Sequence, residues 1–409
     1  MKESIIVIGG GASGMMASGI AASRGYNVTL LEKNNTLGKK LAITGKGRCN
    51  LTNATDIQGL IDNIPGNGNF LYSAINAFTN SDLIDFFKGL EVNTKIERGN
   101  RVFPVSDKAR DVVNALIKFL GINKVNIKLN CNVKTVEKIN DGFMVSMDNG
   151  YKMSSEKLII ATGGITYPKT GSTGDGYKFA RQLGHKIIDA KPSLVPLTTN
   201  ENWVYSLQGL TLKNVGIKLK NKNKLLYEDF GEMLFTHFGV SGPIILSSSR
   251  HLVNLDISKE DINLAIDLKP ALTEEQLDKR IQRDFEKYTR KQFKNSLDEL
   301  LPQKLIPIII DFSEINPEKP VNQISKGERA KLINSLKNLS IKINGTRPID
   351  EGIITCGGVA VNQVNPHTME SKLVKGLYFT GEVLDVDGYT GGYNLQIAFS
   401  TGYAAGMNI

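Results

Sequence analysis

A glycine-rich turn near the N-terminus constrains the fold more than any other feature of the sequence. The apolar run IIVI at residues 5–8 is typical of a strand buried on both faces, and the sequence GGGASG at residues 9–14 follows it directly. Gly9, Gly11 and Gly14 have the spacing of a G-x-G-x-x-G fingerprint. Such glycines let backbone N–H groups approach a pyrophosphate, and the N-terminus of the following helix favours its charge. The turn therefore predicts a dinucleotide-binding βαβ unit.

The next strand supports this prediction. A helix of small residues is predicted over 13–23, and a second strand over 28–31 is closed by Glu32. An acidic residue at this position accepts hydrogen bonds from ribose hydroxyls. Because its charge also repels a 2′-phosphate, we expect the bound adenosine to be unphosphorylated.

A second loop of the same character lies near the C-terminus and favours FAD over NAD. Residues 377–380 predict a strand that leads into Gly381 and Glu382, with Asp385 shortly beyond, and Gly392 opens a final helix. An NAD domain has no need of a second nucleotide-facing loop, whereas FAD needs one for its ribityl chain and isoalloxazine ring. A helix N-terminus directed at the pyrimidine edge of the flavin would stabilise the charge of the reduced form.

The first 191 residues continue in an α/β pattern. Helical spacing occurs at 81–90 and 108–120, alternating strands at 126–149, and a buried strand at 157–162. We therefore assign residues 1–191 to the N-terminal part of the FAD-binding domain.

The pattern changes at Pro192. Short alternating strands predict a β-rich insertion at 192–270, and a helical part follows at 271–344, with capping boxes that begin at Thr273 and Ser325. Strand and glycine-loop patterns return at 345–409, which we assign to the C-terminal part of the FAD-binding domain. The predicted fold class is α/β, an interrupted Rossmann domain.

Several long motifs are spread over the whole chain. They are IGGGASGMMAS, LLEKN and GKKLAITGKGRCNLTN near the N-terminus, ATGGITYPKTGSTGDGY and LFTHFGVSGP in the middle, and MESKLVKGLYFTGEVLDVDGYTGGYNLQIAFSTGYAAG at the C-terminus. Together they resemble the BaiN/YhiN-like flavoproteins, which are known as NAD(P)/FAD-dependent oxidoreductases or aminoacetone oxidases. The resemblance implies a glutathione-reductase-type FAD domain with an insertion made of a small β-barrel and a helical subdomain.

The resemblance also implies which residues hold FAD. The glycine turn would hold the pyrophosphate, Glu32 the ribose and the backbone of Val133 the adenine, while the C-terminal loop would hold the ribityl chain and ring. The glycine-rich segment 167–175 either wraps the flavin or is a structural turn. The expected FAD-binding residues are Gly9, Gly11, Ala12, Ser13, Gly14, Glu32, Lys33, Lys39, Lys40, Leu41, Arg48, Asn50, Val133, Ala161, Thr162, Gly163, Gly164, Gly381, Glu382, Asp385, Gly392, Tyr393, Asn394, Leu395 and Gln396. The sequence assigns no catalytic side chain and no metal ligand.

The loop AITGKGRCN at residues 42–50 raises the question of a redox thiol. Cys49 stands next to basic residues, which lower a thiol pKa, but the three cysteines of the chain are far apart and form no C-x-x-C pair. We therefore predict that this loop lies under the isoalloxazine, with Arg48 and Asn50 in polar contact and Cys49 without a redox role.

Composition narrows the remaining functions. The formal charge of +9 is modest, and no aromatic-interleaved basic motif accompanies it, so nucleic-acid binding is not favoured. Neither a secretory signal nor an apolar segment long enough to span a bilayer is found, so we expect a cytoplasmic protein without a membrane partner.

The predicted function is an FAD-dependent oxidoreductase that exchanges a hydride between the flavin and a small organic substrate. It is either an NAD(P)H-linked reductase of an activated double bond or an amine oxidase of the aminoacetone type. Any NAD(P)H would bind transiently, because a second βαβ fingerprint is missing from the sequence. The alternative is a flavin-bearing nucleic-acid-binding or RNA-modifying protein. The sequence selects neither a substrate nor an oligomeric state.

Overall fold

The computed structural model describes residues 3–409 and shows a mixed α/β protein. Its strands are β1 (Ser4–Ile8), β2 (Asn27–Leu31), β3 (Thr52–Asn53), β4 (Thr94–Glu97), β5 (Arg101–Pro104), β6 (Asn126–Lys128), β7 (Val133–Ile139), β8 (Gly142–Met147), β9 (Lys152–Ser155), β10 (Lys157–Ile160), β11 (Ile187–Ser193), β12 (Leu197–Thr198), β13 (Thr211–Asn221), β14 (Lys224–Phe235), β15 (Gly239–Ser241), β16 (Ile262–Asp267), β17 (Leu339–Ile343), β18 (Gly345–Thr346), β19 (Ile354–Val359) and β20 (Leu377–Phe379). Its helices are α1 (Ala12–Ser23), α2 (Lys39–Ile43), α3 (Ile57–Asp62), α4 (Tyr72–Ala77), α5 (Asn80–Gly89), α6 (Ala109–Ile122), α7 (Asp175–Gln182), α8 (Asn202–Ser206), α9 (Pro243–Ser249), α10 (Glu274–Lys287), α11 (Ile306–Ser313), α12 (Lys326–Lys337) and α13 (Tyr393–Asn408).

The chain folds into two compact units. The first runs to Ser193 and resumes at Ile349, and the second is Leu194–Pro348. The predicted domain boundaries stand after residues 191 and 344, close to these positions.

A five-stranded parallel sheet with the order β20-β10-β1-β2-β6 forms the centre of the first unit. β1, β10 and β20 are apolar along nearly their whole length because α1 and the β7–β9 meander, among other elements, cover the sheet. The carboxyl ends of parallel strands meet at one edge of a sheet. The glycine turn after β1, Glu32 after β2 and the loops after β10 and β20 therefore come together, although they are far apart in sequence.

Small residues let α13 pack closely against α1. A Cβ atom added to Gly402 would lie 2.5 Å from the carbonyl oxygen of Ser13, and one added to Gly406 would lie 2.9 Å from that of Ala17. Larger side chains would push the two helices apart, so the small-residue composition of both helices fixes how the last helix sits beside the glycine turn. No helix in the described part of the chain is long and apolar enough to cross a membrane.

The strand pattern predicted over 126–149 is interrupted. β6 stops at Lys128 and β7 begins at Val133, and between them Asn130 adopts a left-handed conformation with φ 54°. Alternation of apolar and polar residues continues through this gap, which is why the sequence did not reveal it. The interruption turns the segment 131–133 towards the carboxyl edge of the sheet.

The second unit contains its own sheet and its own apolar core. Seven antiparallel strands have the order β17-β16-β13-β14-β15-β12-β18, and a single residue, Asn344, separates the two end strands in the chain. Both predicted capping boxes are confirmed at the starts of α10 and α12. The predicted helical part ends earlier than residue 344, because the alternating sequence LSIKI forms β17 with every second residue buried.

Candidate cofactor-binding site

A cleft of the first unit opens at the carboxyl edge of the parallel sheet. It is lined by segments that follow β1, β2, β10 and β20, together with the start of α2 and residues around 132 and 353. The predicted FAD-binding residues that line it are Gly9, Gly11, Ala12, Ser13, Glu32, Lys33, Lys39, Lys40, Leu41, Val133, Ala161, Thr162, Gly163, Glu382, Asn394 and Leu395.

The glycine turn leads into the start of α1 in the cleft wall. Gly9 has φ 109°, and a Cβ atom there would overlap the carbonyl oxygen of Ala161. Gly11 is the N-cap of α1, where, among residues 3–409, a Cβ atom would meet no neighbour within 4 Å and no side chain caps the helix. The first N–H groups of α1 therefore lack side-chain acceptors, as a bound pyrophosphate requires.

Glu32 is buried, with 8% of its surface exposed, and it holds the glycine turn. One carboxylate oxygen accepts a hydrogen bond from the backbone N–H of Gly10 at 2.8 Å. The other accepts from the backbone N–H of Asn34 at 2.8 Å and from its side-chain amide at 2.6 Å. A carboxylate offers about four acceptor positions, so Glu32 keeps capacity for a ribose hydroxyl.

The segment 167–175 is fastened to the end of β2. Asn34 donates a hydrogen bond to the carbonyl oxygen of Thr170 at 3.0 Å, and Lys33 forms an ion pair with Asp175 at 2.7 Å. Burial pushes the pKa of Asp175 up, but hydrogen bonds from Lys33 and Thr173 and nearby positive charges hold it below its usual value. The carboxylate is therefore charged at neutral pH and keeps the segment beside the cleft.

An ion pair lies in another part of the cleft wall. The ammonium of Lys40 contacts a carboxylate oxygen of Glu382 at 2.8 Å and the hydroxyl of Thr166 at 2.9 Å. The other oxygen of Glu382 accepts hydrogen bonds from the backbone N–H of Thr355 at 2.9 Å and from Thr166 at 3.2 Å. This network joins α2, the loop after β10, β19 and the loop after β20.

Four predicted glycines lie behind the cleft rather than in its wall. Added Cβ atoms would collide with Gly9 at Gly14, with Thr355 at Gly164, with Ser13 at Gly381 and with Thr52 at Gly392. They permit the close approach of neighbouring segments.

Five other predicted residues also stand outside the cleft lining: Arg48, Asn50, Asp385, Tyr393 and Gln396. The guanidinium of Arg48 forms ion pairs with Glu97 and Asp107 and lies 4.2 Å from the ring centroid of Phe103, so it is engaged by the protein itself. The side-chain amide of Gln396 is likewise engaged by the protein, because it forms hydrogen bonds with Thr52, Phe78 and Ser400.

The donor and acceptor set of the cleft fits FAD. Besides the uncapped start of α1 and the remaining acceptor capacity of Glu32, the buried hydroxyl of Thr162 in the cleft wall has no hydrogen-bond partner among the described residues. The buried carbonyl oxygen of the Asn50 side chain also lacks a partner among the described residues, but it lies outside the cleft lining. Unpaired buried polar groups are rare in folded proteins, and the hydroxyl of Thr162 is placed where it could pair with a polar ligand in the cleft.

Comparison with known proteins identifies the family. The model of the HI0933-like protein Rossmann domain matches residues 3–408. The chain belongs to this family. The membership confirms the resemblance to BaiN/YhiN-like proteins and identifies this HI0933-like protein as an FAD-dependent oxidoreductase.

Similar proteins cover nearly the whole chain. A 3-dehydro-bile acid delta(4,6)-reductase of Clostridium scindens is 34% identical over 98% of this chain and 97% of its own. A ribosomal RNA dihydrouridine synthase of Escherichia coli is 31% identical over 99% of this chain and 97% of its own. The 3-ketosteroid delta1-dehydrogenase of Sterolibacterium denitrificans shares the fold, with a TM-score of 0.53, 12% identity and 99% of both chains covered.

The structure bears on the question of Cys49. Its thiol is fully buried, and burial raises its pKa to about 12. The adjacent Arg48 does not offset this burial, because its charge is directed at Glu97 and Asp107. A protonated thiol is a poor nucleophile, which supports the prediction that Cys49 has no redox role in this HI0933-like protein.

Several residues that line the cleft were not among the residues predicted from the sequence to bind FAD. Asn34 follows Glu32 by two positions, so its role could have been inferred from the need to orient that carboxylate. The contribution of Ile353 and Ile354 had no signal in the sequence, since β19, which begins at Ile354, forms an antiparallel pair with β11 far away in the sequence.

Proposed function

We propose that this HI0933-like protein is a reductase that saturates a carbon–carbon double bond conjugated to a carbonyl group. Bound FAD would supply the hydride chemistry through its isoalloxazine ring. NADH or NADPH, bound transiently, would supply the electrons.

The observation that carries the proposal is the shared chemistry of two relatives that match the chain almost from end to end. A delta(4,6)-reductase of a 3-dehydro-bile acid acts on double bonds conjugated to a ring ketone. A dihydrouridine synthase saturates the ring double bond of uridine, which is conjugated to a carbonyl as well. The substrates differ, but in both reactions a hydride adds to the carbon distant from the carbonyl and a proton adds to its neighbour.

The residues of the cleft have clear parts in such a reaction. The uncapped start of α1 would bind the pyrophosphate, Glu32 would hold the adenosine ribose, and the segment 167–175 would cover the site from the side of Asn34. With its thiol buried and protonated, Cys49 would make no contribution as a nucleophile. The task of the chain would be to position cofactor and substrate for the transfer of hydride and proton.

Transfer from reduced protein to candidate oxidants tests the proposal. The purified holoenzyme is reduced anaerobically with NADH or NADPH and mixed with a 3-oxo-4,6-diene steroid or a uridine-containing rRNA fragment. We expect the oxidised flavin absorbance to return and the product to gain two hydrogens by mass. Failure of both to reoxidise the flavin, with aminoacetone bleaching the oxidised protein instead, would refute the reductase and favour the amine oxidase.

A second candidate narrows the substrate to RNA. Dihydrouridine synthases of two bacteria, Escherichia coli and Haemophilus influenzae, are each 31% identical to the chain. The strands β13 and β14 and the turn between them also carry exposed lysines at positions 213, 218, 222 and 224. Phosphate contacts make binding steeply salt-dependent, so an RNA substrate predicts that affinity falls strongly with added salt, whereas a steroid substrate predicts little change.

A further inference from the structure

We propose that the Lys40–Glu382 ion pair tunes the reduction potential of the bound flavin, with Lys40 favouring the reduced form and Glu382 opposing it. The inference needs only that the protein binds FAD, so it is independent of the substrate. It concerns positioning of charge by the chain and not proton transfer.

Lys40 and Glu382 lie in the wall of the cleft that we propose for FAD. In that proposed placement, Glu32 and Val133 hold the adenosine part and the start of α1 holds the pyrophosphate. Lys40 and Glu382 both line the same cleft, and Glu382 belongs to the loop after β20 that precedes α13. The part of the cofactor that lies beyond the pyrophosphate is the ribityl chain and ring, so the pair faces the redox-active end.

Both partners of the ion pair are largely buried. The side chains of Lys40 and Glu382 are only 22% and 14% exposed. Charges screened poorly by water act over longer distances than exposed charges do. A full charge in this wall therefore affects the energy of a neighbouring group whose charge changes.

The two partners differ in how far the protein satisfies their hydrogen bonds. The protein already supplies Glu382 with donors from Lys40, Thr355 and Thr166. An ammonium has three N–H donors, and the described residues take only two from Lys40, those to Glu382 and Thr166. The third remains for a group in the cleft, so Lys40 presents positive charge to a ligand more effectively than Glu382 presents negative charge.

A residue with a strained backbone, Tyr167, lies beside the pair. Tyr167 has φ 54° and ψ 56°, a left-handed conformation that is unfavourable for a bulky residue and further disfavoured before Pro168. Such strain persists where the surroundings fix it, and it occurs preferentially at functional sites. The centroid of its ring lies 5.8 Å from the Lys40 ammonium, within the range of a cation–π attraction.

These observations predict opposite effects for the two partners. Reduction of a flavin by two electrons adds negative charge to the ring when its N1 position stays unprotonated. Lys40→Met leaves the charge of Glu382 uncompensated and disfavours the reduced form. Glu382→Gln leaves the charge of Lys40 uncompensated and favours it. The double variant should lie between the two.

The test measures the dissociation constants of oxidised and of anaerobically reduced FAD for each full-length apoprotein. The dissociation constant of oxidised FAD divided by that of reduced FAD gives the shift of the midpoint potential of bound FAD from that of free FAD. A tenfold change in this ratio corresponds to about 30 mV for a two-electron couple. For Lys40→Met we expect reduced FAD to lose at least about tenfold more affinity than oxidised FAD, and for Glu382→Gln the reverse.

Lys39→Met is the matched control, because Lys39 carries the same charge on the same helix but donates to Asn34 beside Glu32. It should weaken both forms of FAD alike and leave the ratio unchanged. The proposal is overturned if both single variants shift the ratio in the same direction, or if Lys39→Met shifts it as far as Lys40→Met does. If Lys40→Met binds neither form, Lys40→Arg and Lys40→Gln replace it. Lys40→Arg should keep the ratio of the two dissociation constants, and Lys40→Gln should weaken the binding of reduced FAD more than that of oxidised FAD. Equal behaviour of the two variants overturns the proposal.

Discussion

Replacing Glu32 by alanine removes two functions of one carboxylate at once. The first is the acceptor capacity that we assign to the adenosine ribose. A hydrogen bond to a charged acceptor contributes about 1.5–3 kcal/mol, and 1.4 kcal/mol is a factor of ten in affinity. The dissociation constant for FAD should therefore rise by about tenfold to a hundredfold.

The second function is visible without a ligand. The backbone N–H groups of Gly10 and Asn34 both donate to this carboxylate, and each buried donor left without a partner costs about 1–3 kcal/mol. The free energy of unfolding of the apoprotein should fall by about 2–6 kcal/mol, towards the lower value because water can enter the cleft and replace the lost acceptor. Glu32→Gln keeps one acceptor oxygen and the shape of the side chain, so both losses should be smaller.

Fluorescence titration of apoprotein with FAD and urea unfolding of the same preparations measure the two effects separately. Glu137→Ala is the control, because Glu137 is exposed on β7; it should change neither quantity. An FAD affinity that is unchanged in Glu32→Ala would refute the placement of the adenosine. An unchanged stability would refute the role of Glu32 in holding the glycine turn.

Three further predictions follow from individual residues. Gly11→Ala should keep the stability of the apoprotein, since open space surrounds its Cβ position, but should lower its affinity for FAD. Gly9→Ala should destabilise the fold, because a Cβ atom there overlaps its neighbours at φ 109°. Thermal unfolding and FAD titration compare the two variants, and equal behaviour would contradict the prediction. Cys49 should resist alkylation at pH 8, because burial raises its pKa to about 12, and Cys49→Ser should retain flavin. A thiolate-to-flavin charge-transfer band that the reduced wild-type protein shows and the variant loses would contradict the absence of a redox role for Cys49. The hydrogen bond from Lys319, with further bonds from Ser325, lowers the pKa of Glu328 to about 2. The ionised carboxylate therefore stabilises the fold above pH 4.5, its usual pKa, and this stabilisation is lost as the pH falls towards 2. Glu328→Gln should flatten the pH dependence of the free energy of unfolding in this window, and an unchanged slope would contradict the prediction.

The sequence by itself determined the start of the fold and the class of the protein. The spacing of apolar residues, glycines and Glu32 is a local property that a single βαβ unit imposes on its own sequence, so it can be read without knowledge of the rest of the chain. Capping boxes are equally local, and both that the sequence indicates form where predicted. The division near residue 192 was visible because a parallel, doubly covered sheet and an antiparallel sheet require different patterns of apolar residues.

Only the tertiary structure decided which of the indicated residues face the cleft. Arg48 and Asn50 lie in one loop, yet the hairpin of β4 and β5 supplies Glu97 and Phe103, which engage the guanidinium. The amide oxygen of Asn50, by contrast, has no partner in the part of the chain that the structure describes. The ion pair of Lys40 with Glu382 joins positions more than three hundred residues apart. Such contacts depend on the order of the strands and on the packing of α1 against α13. The local spacing of residues carries no information about strand order or helix packing, because the parallel sheet as a whole brings together the segments that meet at its edge.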